Sequence, residues 1–240
     1  MEMKTQTQNG VSSTSTVDLQ LQEEFMLGAL KFANNPLHKK LSGDAQVIDK
    51  LKFVPRMLFF VLGFKDLMQM VRYEDPQTDL EKSVNIHSDE DSFHWEWYLK
   101  DLTYISGWFK NSEVSDVISG VWDSDTYEVR KTIYMFSKYI QEYTDPVARM
   151  LMIEVLEMTF DKFKEALHPI LKDADLYDQL KYFGKAHQET EENHTTGISD
   201  DEIIGLINKL PEGLKQQMIK IVNELFDQMY KMASNWAEAA

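Results

Sequence analysis

The sequence predicts an all-α protein folded as one helical bundle. Three observations carry that prediction. Apolar residues recur at three- and four-residue spacing in almost every segment. No hairpin signal stands between alternating runs, since Asn9-Gly10 lies in a polar tail. Helix starts are well marked, most clearly where Asp145 precedes Pro146. A chain of 240 residues can bury one sizeable core, and no composition shift divides it into two domains.

The elements follow in order. Residues 1–16 are rich in Gln, Ser and Thr and read as a disordered tail, ahead of a helical domain spanning 17–240. Helices are expected near 18–33, 45–72, 79–110, 124–143, 146–168, 173–195, 200–209 and 212–236. The second is liable to break at Pro55. Asp145 and Pro146 serve as N-cap and first residue of the fifth, Ser199 with Glu202 form a capping box for the seventh, and Pro211 opens the eighth. That last helix carries Leu214, Met218, Ile221, Leu225 and Met229 on one core-facing stripe. The stretch Gly107 to Asp125, with Trp108 and Trp122, reads as a long loop that either covers a pocket or crosses the bundle end.

Charge and composition exclude several functions. A net charge of -15, with 40 acids against 25 bases, argues against a nucleic-acid partner, because phosphate binding needs clustered Lys and Arg. The absence of cysteine removes disulfides, thiolate metal sites and cysteine nucleophiles together. The N-terminal residues have neither an apolar nor a basic region, so no secretory signal is expected, and the most apolar run, Phe53 to Phe64, is interrupted by Pro55 and Arg56 and falls short of the ~18 residues of a membrane span. A cytoplasmic location without membrane partners is expected.

The chemistry sits in a pattern that occurs twice: His87-x-x-x-Asp91-x-x-His94 and His187-x-x-x-Glu191-x-x-His194. Positions i, i+4 and i+7 share one helical face, so each triplet aims two imidazoles and a carboxylate in one direction. Four of the 6 histidines fall in these triplets; His38 and His168 stand beside helix-end prolines and receive no function. Leu176, Leu180 and Phe183 lead into the second triplet at seam spacing, while Tyr98, Leu102 and Ile105 follow the first. Packed antiparallel, the two helices would close the triplets on one another inside the bundle. Buried imidazoles and carboxylates are costly without compensation, and a divalent metal supplies it. Dimetal carboxylate bundles need further acids, and residues 146–168 offer Glu157, Glu154 and Asp161, in that order of preference for Glu157 over Glu154. Imidazole and carboxylate without sulfur suit iron, manganese or zinc, and a two-ion site favours iron or manganese.

The second triplet, preceded by Tyr182-Phe183-Gly184, resembles the C-terminal motif of the heme-oxygenase-like diiron oxidases, and Pro146 to Phe163, with Val155-Leu156-Glu157, is similar to their helix that supplies a bridging Glu. His94 and the acids before it resemble the first-helix ligands, so the likeness spans roughly 45–196. The resemblance implies a heme-oxygenase-like bundle in which His94, Glu157, His187, Glu191 and His194 ligate two Fe(II) ions that react with O2. Two departures stand out: Glu191 replaces the usual Asp, and His87 or Asp91 replaces the usual first-helix Glu. The choice between those two residues stays open. The family's substrates imply a small molecule, with an amino acid preferred over a fatty acid because of the Trp content, and Phe93, Trp95, Trp97 and Tyr98, which flank the first triplet, would suit an aromatic one. Any of the arginines, Arg56, Arg72, Arg130 and Arg149, would serve to clamp a carboxylate. The expected reaction is oxidative, with a non-catalytic metal-binding or interaction protein and a dimetal hydrolase as alternatives. A homodimer is left open.

Overall fold

The computed structural model describes residues 16–107, 114–192, 205 and 207–239, and among them it is all-α, a single bundle without strands. The helices are α1 (Thr16–Ala33), α2 (Pro36–Leu41), α3 (Val47–Lys50), α4 (Leu58–Val71), α5 (Asp79–Asp91), α6 (His94–Ser106), α7 (Val114–Trp122), α8 (Tyr127–Glu142), α9 (Pro146–Asp173), α10 (Lys185–Glu192) and α11 (Glu212–Ala237). Short 3-10 turns at Val54–Met57 and Ser124–Thr126 lead into α4 and α8.

α11 is the hub of the bundle, packed against α1, α8 and α9. Its expected stripe is buried at Met218, Ile221, Leu225 and Met229, while Leu214 is half-buried at the rim. The approach of α1 to α11 depends on Gly28, where a Cβ would lie 2.2 Å from a ring carbon of Phe226. A buried ion pair, Lys215 to Asp18 at 2.5 Å, ties the start of α11 to the start of α1. Besides α11, α9 packs on α1, α2 and α5, which places one face of α9 toward the expected metal ligands.

Several boundaries differ from expectation, each for a local reason. The segment expected as one helix over 45–72 is interrupted: α3 ends at Lys50, and Pro55, which has no N–H to donate, stands in the first turn of the 3-10 helix that leads into α4. The helix expected over 79–110 is two helices. α5 ends in Asp89, Glu90 and Asp91, acids at its negative pole, and the Ser92 hydroxyl donates back to the Asp89 carbonyl at 3.0 Å. The helix expected from 173 begins only at Lys185; the chain instead turns through Asp175 at φ 54. α9 runs past Pro169 to Asp173, tolerable because Glu165, whose carbonyl the proline leaves unpaired, is an exposed residue near the helix end. α2 and α7 stand where no helix was expected; Asn35 caps α2 by accepting from His38 N at 3.1 Å.

The Asp145 cap behaves as expected, its carboxylate accepting from Val147 N at 2.8 Å and Ala148 N at 3.2 Å. Pro211 stands one place before α11. Residues 1–15, Trp108 and the Ser199–Glu202 capping box lie outside the described residues. No helix among the described residues is long and apolar enough to cross a membrane.

Candidate metal centre

The break after α5 decides the geometry of the site. With α5 and α6 as separate helices, the first triplet divides: His87 and Asp91 face α9, while His94, the first residue of α6, faces α10. Two groups of ligand atoms result, each lying within 4.8 Å: His94, His187 and Glu191 in one, His87, Asp91 and Glu157 in the other.

In the first group His187 Nε2 is 3.1 Å from His94 Nδ1 and 2.9 Å from Glu191 Oε1, and His94 Nδ1 is 3.7 Å from the same oxygen. Cis donors around an octahedral ion with bonds of about 2.1 Å lie about 3.0 Å apart, so the three atoms already stand near the spacing of one face. Two imidazoles and one carboxylate on a face are the donor set of non-heme ferrous oxygenases. In the second group His87 Nε2 is 3.0 Å from Asp91 Oδ2 and 3.4 Å from Glu157 Oε1. The other Asp91 oxygen lies 3.8 Å from His94 Nδ1, so Asp91 spans the two groups.

Burial makes this assembly electrostatically demanding. His87, Asp91, His94 and His187 are all at most 5% exposed. Burial presses His87 toward neutrality, but the Asp91 and Glu157 carboxylates outweigh it and hold the imidazole well above its ordinary pKa. Burial, then the charge of Asp91, pushes Glu157 up to about 7. The acids and imidazoles thus hold protons tightly among themselves, and a divalent cation in the same place would displace them. The donors present fit such an ion in number, type and spacing.

A second layer fixes the imidazole of His187. Its Nδ1 lies 2.8 Å from the Tyr182 carbonyl, which accepts the ring N–H and leaves the Nε2 lone pair facing the ligand group. The carbonyl is held in turn by Asp101, a buried carboxylate on α6 that accepts from Lys181 N at 2.7 Å, Tyr182 N at 2.8 Å and Phe183 N at 3.1 Å. Burial pushes Asp101 up to about 6 in spite of these donors. Gly184 completes the turn into α10, because a Cβ there would lie 2.1 Å from the Tyr177 carbonyl oxygen. Sequence reasoning missed Asp101. Its signal was available, since it sits seven residues beyond His94, an acid on a seam otherwise lined by Tyr98 and Ile105.

Aromatic rings wall the ligands. Trp97 stacks on His94 with centroids 5.2 Å apart, Phe160 packs 4.6 Å from His187, and Tyr98 donates to Val54 O at 2.7 Å while packing on Tyr182. Phe93 lies against both His94 and Trp97.

Of the other expected site residues, Glu154 is buried but belongs to neither group, so Glu157 rather than Glu154 joins the centre. Asp161, exposed, pairs with the buried Lys164 at 2.8 Å. His194 lies outside the described residues. Beside the ligands opens a cavity with an empty volume of about 650 Å³ counted with its mouth, reached by Asp91, His94, Glu157, His187 and Glu191 and otherwise mostly apolar. A scan against protein-family models and a search of curated proteins found nothing that matches this chain. The chemistry of the site therefore rests on its own residues.

Proposed function

We propose that the protein is a heme-oxygenase-like, O2-dependent non-heme diiron oxidase or oxygenase acting on a small organic molecule. One observation carries the reading: a two-histidine, one-carboxylate group stands beside a second histidine and carboxylate group, joined through Asp91 and facing an apolar cavity. His94, His187 and Glu191 would hold one ferrous ion, and His87, Asp91 and Glu157 the other. Bound there, the pair would supply electrons for the reduction of O2.

The chain's own residues then set the conditions. Tyr182 O keeps the His187 proton on Nδ1, so that Nε2 remains a donor to the centre. Asp101 holds that carbonyl in place through three backbone N–H groups. Leu156, Phe160 and Phe163 line the cavity beside the ligands, an apolar surface that offers water no hydrogen bonds at the reacting end. A hydrolytic dimetal enzyme needs water at the substrate, and this lining favours oxidation over hydrolysis.

The test is O2 uptake by the full chain loaded anaerobically with Fe(II). Consumption of about one O2 per two irons, with none for the zinc-loaded protein, is the expected result. Iron loading without O2 uptake, together with anaerobic ester or amide hydrolysis by the zinc form, would move the assignment to a hydrolase.

A further inference from the structure

We infer that the Tyr182 hydroxyl is the hydrogen-bond donor that receives the molecule bound in this cavity, and that this molecule carries an acceptor oxygen beside the centre. The inference rests on the reading above in placing the substrate at these residues. It deepens that reading by naming a side chain that touches the substrate and the group it touches.

Tyr98, Tyr139 and Tyr182 are the buried tyrosines among the described residues, and two of them use their hydroxyls within the protein. Tyr98 donates to Val54 O at 2.7 Å, and Tyr139 donates to Glu224. Tyr182, 7% exposed, has no partner for its hydroxyl among the described residues. It lines the cavity together with Asp91, His94, Glu157, His187 and Glu191. Burial first, then the charges of Glu191, Asp91 and Glu157, raise its pKa, which sets the hydroxyl at the metal end of the space. Trp236 Nε1, the other unpartnered donor in the lining, is sealed from the space, with its ring packed against Phe53, Phe60 and Phe163. Tyr182 Oη is not among the sealed polar atoms, so it opens on the cavity. A phenol donates to neutral and anionic oxygens alike, so the assignment holds whatever charge bound ions leave at the centre.

Nothing in the packing calls for an oxygen at this position. Rings of Phe183 and His187 at 5.0 Å, Tyr98 at 5.6 Å and Phe160 at 6.0 Å surround the side chain, and a phenylalanine would meet the same rings. A buried hydroxyl without a partner costs stability, and an acceptor on a bound molecule restores the bond that water supplied before folding. The backbone holds this donor still. Tyr182 N donates to Asp101 Oδ2 at 2.8 Å, and Tyr182 O lies 2.8 Å from His187 Nδ1. One residue thus orients a metal-binding imidazole through its carbonyl and faces the cavity through its hydroxyl. A substrate bonded to that hydroxyl is registered against the centre.

Acetophenone and α-methylstyrene test this, since they share a shape and differ in carrying C=O or C=CH₂. Each is bound anaerobically to the full iron-loaded chain and to its Tyr182→Phe variant, followed by calorimetry and by infrared absorption of an isotope-labelled carbonyl. Tyr182→Phe should weaken acetophenone about tenfold, as for the loss of one buried hydrogen bond, and leave α-methylstyrene within about twofold. In the unaltered chain the carbonyl band should lie below its position in a hydrocarbon solvent, and the variant should move it back. Removing a hydroxyl that has no partner in the fold should leave the melting temperature unchanged or raise it. Equal weakening of the two probes, a band that the variant leaves in place, or exclusion of both probes would overturn the inference. A lowered melting temperature would also overturn it, by making the hydroxyl a structural group. A band at its hydrocarbon-solvent position in the unaltered chain would do so without any variant. If the chain takes up no iron, the proposed function falls, and the same comparison on the metal-free chain still decides the role of Tyr182.

Discussion

At the residue scale the site hinges on a few atoms. His187 serves the centre only while its proton stays on Nδ1, and Asp101 secures that through the Tyr182 carbonyl. Asp101→Asn keeps the volume but cannot accept all three N–H groups. It should cost about 1–3 kcal/mol in stability and lower iron affinity about 10–100-fold while the iron count at saturation is retained. Denaturant melts and metal titration of the variant check both effects, and unchanged affinity would break the link from Asp101 to His187. His168 supplies a pH effect away from the centre. Burial first, then the nearby charges of Lys164 and Lys172, lower its pKa to about 4. The unfolded chain binds that proton near the ordinary value of about 6.5, so its contribution is complete above that pH and declines as the pH falls toward about 4. His168→Gln should therefore flatten part of the fall in urea midpoint between pH 6.5 and 4; parallel curves for the two proteins would contradict this.

At the element scale the two triplets stood out in the sequence as candidate ligands, but the arrangement of their described members did not. The seam spacing implied straight helices, and a straight helix over 79–110 would have aimed His87, Asp91 and His94 in one direction. The interruption at Ser92 and Phe93 sends them to two partners, α9 and α10. Propensity gives little warning of such a break, because Ser92 and Phe93 are both acceptable within a helix and the decision lies in packing. Likewise Leu176, Leu180 and Phe183 are buried as their spacing implied, yet they lie in turns. The glycine at 184 was the clue there. Gly184→Ala should push the chain off the Tyr177 carbonyl at a cost of about 1–3 kcal/mol and weaken iron binding at His187. A stability equal to that of the unaltered chain would show that the turn relaxes freely. The choice between Glu154 and Glu157 could not be read from sequence, since both lie on one strip of α9 and only the position of α5 separates them.

At the scale of the whole molecule, α11 organises a bundle whose candidate ligands come from α5, α6, α9 and α10. The all-α class and single core followed directly from periodicity, length and capping signals, which act locally and survive without knowledge of packing. The cavity did not, because Phe32, Met229 and Trp236 are ordinary stripe residues until α1 and α11 are placed beside α9. A centre assembled from four helices should bind metal to the folded chain alone. Iron at about 100 times its dissociation constant should then stabilise the protein by about 2.7 kcal/mol per site and raise its melting temperature. A melting temperature indifferent to iron would mean that no iron binds the folded chain in preference to the unfolded one.

The measurement that bears most directly on the account is anaerobic equilibrium titration of the full chain with Fe(II), counting bound iron for the unaltered protein and for His187→Ala. The two ligand groups predict about two irons per chain, and removal of His187 should lower the count to about one. No iron above background, or a count that His187→Ala leaves unchanged, would contradict the assignment of these residues as a metal centre.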